Sequence, residues 1–264
     1  MTDTGQGTAS LPLAGIGLSP PPSTDERRFD EMRDDTNSPL RAVLWDMDGT
    51  LVDTEPHWMQ AQRRLASEHG VEWTDADARS TVGQPMTVSA GTLQHRGIDL
   101  PVATIVDMLV DDVATVISRE VPWLPGAQRL LGELAEAGIA CGLVTMAYSP
   151  VARRVAAAAP GNVFSTVVAG DDVERGKPYP DPYLQAAAAL GVRAEDCVAI
   201  EDSLNGTLSA ESAGMPVLVV PGIVSVPAAP GRHFTSSLAE VTVELLRAVH
   251  VTTHQHVRPR GPDQ

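Results

Sequence analysis

The sequence predicts an α/β fold with a parallel-sheet core, crossover helices and a small helical insert. Short apolar runs alternate with segments of helical spacing, and 43% of the residues are hydrophobic while only 4% are aromatic. Strands rich in small aliphatic side chains are typical of parallel sheets, which are buried on both faces. About 90 residues separate the first apolar run from the second. One crossover helix needs far fewer, so this interval predicts an insert.

Five apolar runs are predicted to form the sheet. Each is bounded by turns rich in Asp, Gly or Pro, and helical segments lie between the runs, which is the pattern of β-α-β units. The predicted strands are Ala42–Asp46, Ile139–Thr145, Thr166–Ala169, Val198–Glu201 and Val217–Val220. Near the end of the chain, Ser237 with Glu240 has the pattern of a capping box and predicts the start of a last helix.

The insert, residues 56–123, is predicted to be a helical cap domain. Pro56–Glu68 has helical spacing, Thr74 with Asp77 predicts the start of a second helix, and Pro101–Glu120 predicts a long amphipathic one. Residues 39–55 and 124–249 then make up the α/β core domain.

The two ends of the chain are predicted to be tails. Residues 1–38 are rich in Gly, Pro and acidic side chains, a composition that is typical of disorder. Residues 250–264 are polar and are predicted to be a flexible C-terminal tail. His250, His254 and His256 in that tail could be metal ligands, but a solvated segment is the preferred interpretation.

The charge balance and the lack of a long apolar run argue against nucleic-acid binding and against a membrane span. The chain carries 19 basic and 34 acidic residues, a net charge of −15, which does not favour contact with a nucleic-acid backbone. No run approaches the roughly 18 uninterrupted apolar residues of a membrane helix. Cys141 and Cys197 fall in predicted strands and are too few for a disulfide framework. A cytoplasmic protein is expected; its oligomeric state cannot be read, and a monomer is compatible with the sequence.

Reactive side chains follow four of the predicted strands. Ligands of parallel sheets bind beyond the carboxyl ends of the strands, so these side chains are expected to meet. They are Asp46 and Asp48 after the first strand, Thr145 at the end of the second, Lys177 after the third, and Glu201 with Asp202 at the end of the fourth. Each alone has an ordinary structural explanation, such as a turn or a helix cap.

Gathered carboxylates require a cation. Two carboxylates about 5 Å apart repel by roughly 3 kcal/mol at an effective dielectric of 20. Oxygen ligands favour a hard ion, and Mg²⁺ suits a site with few carboxylates and a phosphate. A calcium-binding loop that opens at Asp46 is excluded, because His57 stands where its last glutamate is required. A nucleotide phosphate-binding loop is excluded because five residues separate Gly170 from Gly176 and Pro178 follows the lysine.

Four ordered segments resemble the motifs of the haloacid dehalogenase-like superfamily, in particular its sugar-phosphate phosphatases and β-phosphoglucomutases. The segments are Asp46–Glu55, Leu143–Thr145, Gly176–Tyr183 and Ile200–Ser203. The resemblance implies a Rossmann-like core with a small cap domain. It also implies that Asp46 is the nucleophile that forms an aspartyl phosphate, that Asp48 is the general acid and base, and that Thr145 and Lys177 bind phosphoryl oxygens. The implied Mg²⁺ ligands are Asp46, the Met47 carbonyl, Asp48, Glu201 and Asp202.

The sequence departs from the family pattern at two places. Met146-Ala147 follows Thr145 where the family often has Asn and then Ser or Thr, and Trp58 stands where the mutases are expected to have histidine. Contacts to the leaving group are expected from the cap, with Arg79, Gln84, Arg96 and Arg119 as candidates and Gly83-Gln84-Pro85 as the first segment to inspect.

The prediction is a Mg²⁺-dependent phosphatase that acts on a small phosphorylated metabolite, with a sugar phosphate as the leading candidate. One alternative is a β-phosphoglucomutase-like intramolecular phosphotransferase. The other is a protein without activity that binds phosphate or a partner.

Overall fold

The structure is a computed structural model that describes residues 1–2, 39–81 and 84–256, with side chains described as far as Thr252. Of the predicted N-terminal tail, residues 1–38, only Met1 and Thr2 are described. Residues 257–264 of the predicted C-terminal tail also lie outside the described residues. The described residues from 39 onward belong to one compact unit. None of the helices among the described residues has the length and apolar character of a membrane span.

A six-stranded, wholly parallel sheet forms the centre of the molecule and confirms the predicted fold class. Its strand order is β3-β2-β1-β4-β5-β6. The strands are β1 (Ala42–Trp45), β2 (Ala140–Val144), β3 (Phe164–Val168), β4 (Cys197–Glu201), β5 (Val217–Val219) and β6 (Arg232–Phe234). Strand β1 lies between β2 and β4, with Val43 opposite both Cys141 and Val198. All four residues of β1 are buried, as expected of a central strand covered on both faces.

Helices cover both faces of the sheet. Five of them follow the insert: α5 (Ala127–Glu136), α6 (Ser149–Ala158), α7 (Asp181–Leu190), α8 (Leu204–Ser212) and α9 (Val243–His256). Because side chains alternate along a strand, Val43 and Trp45 join one apolar cluster with α5, α6 and α9, whereas Ala42 and Leu44 join a second cluster with α7 and α8.

The insert between β1 and β2 forms four helices, here called the cap helices. They are α1 (Glu55–Glu68), α2 (Asp75–Ser80), α3 (Met86–His95) and α4 (Val102–Ile117). Thr74 and Asp77 form the predicted capping box at the start of α2. The long helix α4 packs against α1 and α3 and also against the core helix α6. The cap helices and one face of the sheet therefore share a continuous apolar cluster.

The chain enters and leaves the cap helices through two adjacent segments. The Asp53 N–H donates to the Pro122 carbonyl and the Leu124 N–H donates to the Leu51 carbonyl, each over 2.9 Å. Val52 and Trp123 form an isolated antiparallel bridge between these bonds. The two connections are thus held together at the edge of the sheet where Asp46 and Asp48 lie.

Two elements were missed by the sequence analysis. Strand β6 has the short sequence Arg-His-Phe after a loop rich in Pro and Gly, so it shows neither an apolar run nor a clear alternation. Helix α3 begins after Pro85 without a capping side chain and has weak amphipathic character, so no start signal marks it.

The last helix differs from its prediction at both ends. Ser237 caps only a short 3-10 turn, Leu238–Glu240, and α9 begins at Val243. The helix continues to His256, past residue 249 where the core was predicted to end. His250 is only 1% exposed, and its Nε2 lies 2.9 Å from the Glu195 carbonyl oxygen. Helical spacing places His250 on the same buried face as Leu246 and Val249, so it belongs to the core and not to a solvated tail.

Truncating the centre of the sheet should destabilise the fold. Leu44 is fully buried on β1, so Leu44→Ala is expected to lower the free energy of unfolding by about 2–5 kcal/mol, measured by urea denaturation. Leu184→Ala, on the exposed side of α7, is the matched control and should change it by less than about 0.5 kcal/mol. Equal losses in the two variants would contradict the assigned core.

Candidate active site

The carboxyl ends of β1, β2 and β4 bring the predicted site residues to one edge of the sheet. Asp46 follows β1 directly, Thr145 follows β2, and Glu201 is the last residue of β4. Lys177 reaches them from the loop between β3 and α7. Because β2, β1 and β4 are neighbours in the sheet, residues far apart in sequence meet here.

Lys177 is the charge at the centre of the site. Its Nζ donates to Asp46 Oδ1 over 2.7 Å, to Glu201 Oε1 over 2.6 Å and to the Val144 carbonyl over 2.9 Å. The three acceptors match the three donors of an ammonium group. Burial alone lowers the pKa of Lys177, but the carboxylates of Asp46 and Glu201 outweigh it and raise that pKa. The lysine is therefore charged at neutral pH.

Three carboxylates lie around one point with more negative charge than Lys177 can balance. Asp46, Glu201 and Asp202 each offer an oxygen, and these oxygens lie within 4.8 Å of one another. Burial, reinforced by Asp46 and Glu201, raises the pKa of Asp202 to about 8. Burial also raises the pKa of Glu201 to about 7, against the opposing effect of Lys177. A divalent cation would relieve this repulsion and keep all three groups ionised.

The second oxygen of Asp46 supports a cation at this point. Asp46 Oδ2 is buried and has no hydrogen-bond partner among the described residues. A buried carboxylate oxygen without a partner is costly. Asp46, Glu201 and Asp202 together offer only oxygen ligands, and such a donor set fits Mg²⁺.

Two glycines allow the carboxylates to approach the main chain closely. Gly49 has φ +85°, and a Cβ there would lie 2.2 Å from Asp202 Oδ2. A Cβ at Gly206, in the first turn of α8, would lie 1.9 Å from Glu201 Oε1. Any larger residue at either position would displace a carboxylate of the site.

Asp48 lies in a different environment from Asp46. Its Oδ2 accepts a hydrogen bond of 3.1 Å from Thr145 Oγ1, and its Oδ1 accepts one from Thr54 Oγ1. Burial and the neighbouring Asp46 raise the pKa of Asp48, while hydrogen bonds from Thr54, Thr145 and Trp58 oppose the rise. The net effect is a raised pKa for Asp48, which favours its protonated form, as a general acid requires.

Two of the predicted metal ligands make other contacts in the structure. The Met47 carbonyl accepts N–H groups of Thr50 (3.3 Å), Leu51 (2.9 Å) and Val52 (3.1 Å), so the turn after β1 occupies it. The Asp48 carboxylate is held by two threonines and lies outside the group formed by Asp46, Glu201 and Asp202. As metal ligands, the Met47 carbonyl and Asp48 remain predictions that rest on the family resemblance.

Other residues considered in the insert lie elsewhere or make other contacts. Arg96 pairs with Asp77 within the cap helices, and Gly83 falls outside the described residues. Arg79, Gln84 and Arg119 are exposed, and no contact between them and the site is seen in the part of the chain that the structure describes.

The structure adds three site residues that the sequence analysis did not select: Thr54, Trp58 and Tyr183. Thr54 and Tyr183 belong to the quoted motif segments, but nothing in their residue type marks them as partners of a carboxylate. Trp58 was noted only as a departure from the mutases, and its contact with Asp48 depends on the packing of α1.

Comparison with known proteins identifies the family. A family model described as haloacid dehalogenase-like hydrolase matches residues 40–214. Hexitol phosphatase A of Escherichia coli K12 is 34% identical over 185 residues, which are 68% of this chain and 82% of the relative. Protein CbbY of Cereibacter sphaeroides is 33% identical over 197 residues, which are 69% of this chain and 85% of the relative.

A solved structure agrees with these relatives. The crystal structure of CbbY from Rhodobacter sphaeroides in complex with phosphate superposes with a TM-score of 0.70 and 28% identity, covering 78% of this chain and 99% of that one. The family model, the relatives and the fold agree, and the chain belongs to the haloacid dehalogenase-like hydrolases.

Proposed function

We propose that the protein is a Mg²⁺-dependent phosphomonoesterase that transfers the phosphoryl group of its substrate to Asp46 and then hydrolyses the aspartyl phosphate. The observation that carries the proposal is the state of Asp46. Lys177 binds one of its carboxylate oxygens, the other is buried without a partner among the described residues, and the carboxylates of Glu201 and Asp202 lie close to that of Asp46. An ionised carboxylate held in this way, beside a protonated second one, suits nucleophilic attack followed by proton transfer.

In the first step, an Asp46 oxygen attacks phosphorus and the bond from phosphorus to the leaving oxygen breaks. Asp48 gives its proton to that oxygen, so the product leaves as a neutral alcohol. Lys177 keeps Asp46 oriented and contributes positive charge where negative charge accumulates on the phosphoryl oxygens. The Thr145 hydroxyl, next to Asp48, is available to the same oxygens after it turns from Asp48.

In the second step, Asp48 accepts a proton from a water molecule that attacks the same phosphorus. The bond between phosphorus and Asp46 breaks, inorganic phosphate leaves, and both carboxyl groups return to their starting states. One acid-base residue therefore serves both steps, since the proton that it loses in the first is regained in the second.

Asp46, Glu201 and Asp202 are the side chains that we propose to hold Mg²⁺. When bound, the ion neutralises charge at the carboxylates and on the phosphoryl group. With Mg²⁺ and Lys177 present, three ionised carboxylates are balanced by three positive charges, which offsets the burial and the carboxylate repulsion that raise the pKa of Asp202. The Met47 carbonyl and the Asp48 carboxylate are not part of this proposed set.

The proposed substrate is a small phosphorylated metabolite, with sugar or polyol phosphates as the first class to test. Hexitol phosphatase A is the relative whose name supports this class. The free, buried thiols of Cys141 and Cys197 fit the proposed reducing cytoplasm. An intramolecular phosphotransferase is the less favoured alternative, because Trp58 and not histidine contacts Asp48.

Incubation with phosphate esters tests the proposal directly. In Mg²⁺, the protein is expected to release inorganic phosphate from at least one sugar or polyol phosphate without accumulating an isomerised phosphate ester, with or without a bisphosphate primer. Asp46→Asn should lower kcat by more than about 10³-fold while leaving the circular dichroism spectrum unchanged, since the attacking charge is lost but the side chain keeps its size and shape. Isomerised ester as the main product would favour the phosphotransferase, and no turnover of any ester would favour a binding protein.

The role of Asp48 predicts a difference between leaving groups. Asp48→Asn should lower kcat for an alkyl phosphate by about 10²–10⁴-fold, because the alkoxide is no longer protonated. With p-nitrophenyl phosphate, whose leaving group needs no proton, the variant should still release a burst of p-nitrophenol equal to the enzyme concentration and then turn over slowly. Rapid-quench or stopped-flow measurement detects the burst. If both substrates lost activity equally, without a burst, Asp48 would not be the acid.

The proposed metal site predicts the effect of Asp202→Asn. Removing this charge should weaken Mg²⁺ binding by at least about 10-fold in isothermal titration calorimetry without substrate, because one of three anionic ligands is lost. Asp107→Asn, on the exposed face of α4, is the matched control and should bind Mg²⁺ as the wild type does. An unchanged affinity in Asp202→Asn would remove Asp202 from the ligand set.

A further inference from the structure

Tyr183 is a fully buried tyrosine whose hydroxyl reaches the charged centre of the site. It lies in the first turn of α7, and its side chain enters the sheet face that Ala42 and Leu44 line. Its Oη donates to Glu201 Oε1 over 2.6 Å. Its ring also faces Lys177, with Nζ 5.2 Å from the ring centroid, in the range of a cation-π contact.

The hydroxyl and the lysine bind the same oxygen of Glu201. Lys177 Nζ lies 2.6 Å from Oε1, as does Tyr183 Oη. The other oxygen, Oε2, accepts a longer bond of 3.2 Å from Ser203 Oγ. Two short hydrogen bonds therefore fix Oε1, and a longer, weaker one holds Oε2.

Packing alone does not account for this tyrosine. A phenylalanine would fill the same space and keep the ring against Lys177, without burying a hydroxyl group that costs free energy unless it is bonded. Burial and the neighbouring Glu201 raise the pKa of Tyr183 well above its usual value, so the hydroxyl keeps its proton and acts as a donor.

We infer that Tyr183 is a positioning residue. It holds Glu201 Oε1 against Lys177 and thereby directs the other carboxylate oxygen, Oε2, toward the cation. This inference rests on the proposed function. Without the hydroxyl, Glu201 would keep one short bond in place of two, and its carboxylate could rotate about the bond to Lys177. The lysine, shared between Glu201 and Asp46, would then be less firmly placed against the nucleophile as well.

Tyr183→Phe tests the inference, with Tyr179→Phe as its matched control. Tyr179 belongs to the same segment, but its side chain is 52% exposed and its ring lies over Arg175, 5.1 Å away. Mg²⁺ affinity is measured by calorimetry without substrate, and kcat and KM with the best ester of the panel. Tyr183→Phe is expected to bind Mg²⁺ about 10–100-fold more weakly, as replacement of a residue that orients a metal ligand typically does. Tyr179→Phe should match the wild type in both measurements.

A double-mutant cycle with Glu201→Gln shows whether Tyr183 acts through Glu201. In that background Tyr183→Phe should add less than a twofold change in Mg²⁺ affinity, because the carboxylate that it orients is gone. The inference would be overturned if the changes in Mg²⁺ affinity caused by the two substitutions multiplied fully in the double variant. It would also be overturned if Tyr183→Phe bound Mg²⁺ as the wild type does, or did not fold. A wild-type protein that neither binds Mg²⁺ nor turns over any ester would instead refute the proposed function, so the two failures are distinguishable.

Discussion

The ion pairs of one buried lysine determine the arrangement of the site. Lys177 binds Asp46 and Glu201 at once, and its side chain is only 4% exposed. Removing one partner of such a buried pair typically costs about 3–5 kcal/mol, because the remaining charge stays buried. Here, two buried carboxylates would lose their counter-charge together, so removing the lysine is expected to disrupt the arrangement of the site.

Lys177 alone cannot neutralise the three carboxylates, and the remaining negative charge explains which ligands the site can hold. One positive charge faces Asp46, Glu201 and Asp202, and the pKa values of the last two are raised by burial first and by the neighbouring carboxylates in addition. The parallel sheet creates the excess, since neighbouring strands deliver these side chains to one edge whatever their separation in sequence. A site that is short of positive charge in this way can hold a divalent cation and an anionic phosphoryl group together.

The parts of the fold that follow a regular pattern could be predicted from the sequence. The five apolar runs that predicted β1 to β5 have clear boundaries, and the polar residues at their ends meet as expected. Strand β6 could not be predicted, because its three residues depend on pairing with β5 and not on a pattern of their own. The same applies to Tyr183 and Trp58, whose contacts arise when α7 and α1 pack against the sheet. The main-chain contacts of the Met47 carbonyl could not be predicted either, because a motif specifies residue types, whereas the turn determines which N–H groups a carbonyl accepts.

Asp48 receives hydrogen bonds from both parts of the molecule, and this bears on the choice between hydrolysis and phosphotransfer. Thr145 approaches from β2, while Thr54 and Trp58 approach from the start of α1, next to the paired connections at Asp53 and Leu124. The indole N–H of Trp58 only donates a hydrogen bond, whereas a histidine can also accept a proton. Trp58 can therefore bind Asp48 without taking up its proton. In the proposed mechanism, this leaves Asp48 to act as acid toward the leaving alcohol and then as base toward water, a sequence that ends in hydrolysis and needs no second proton carrier.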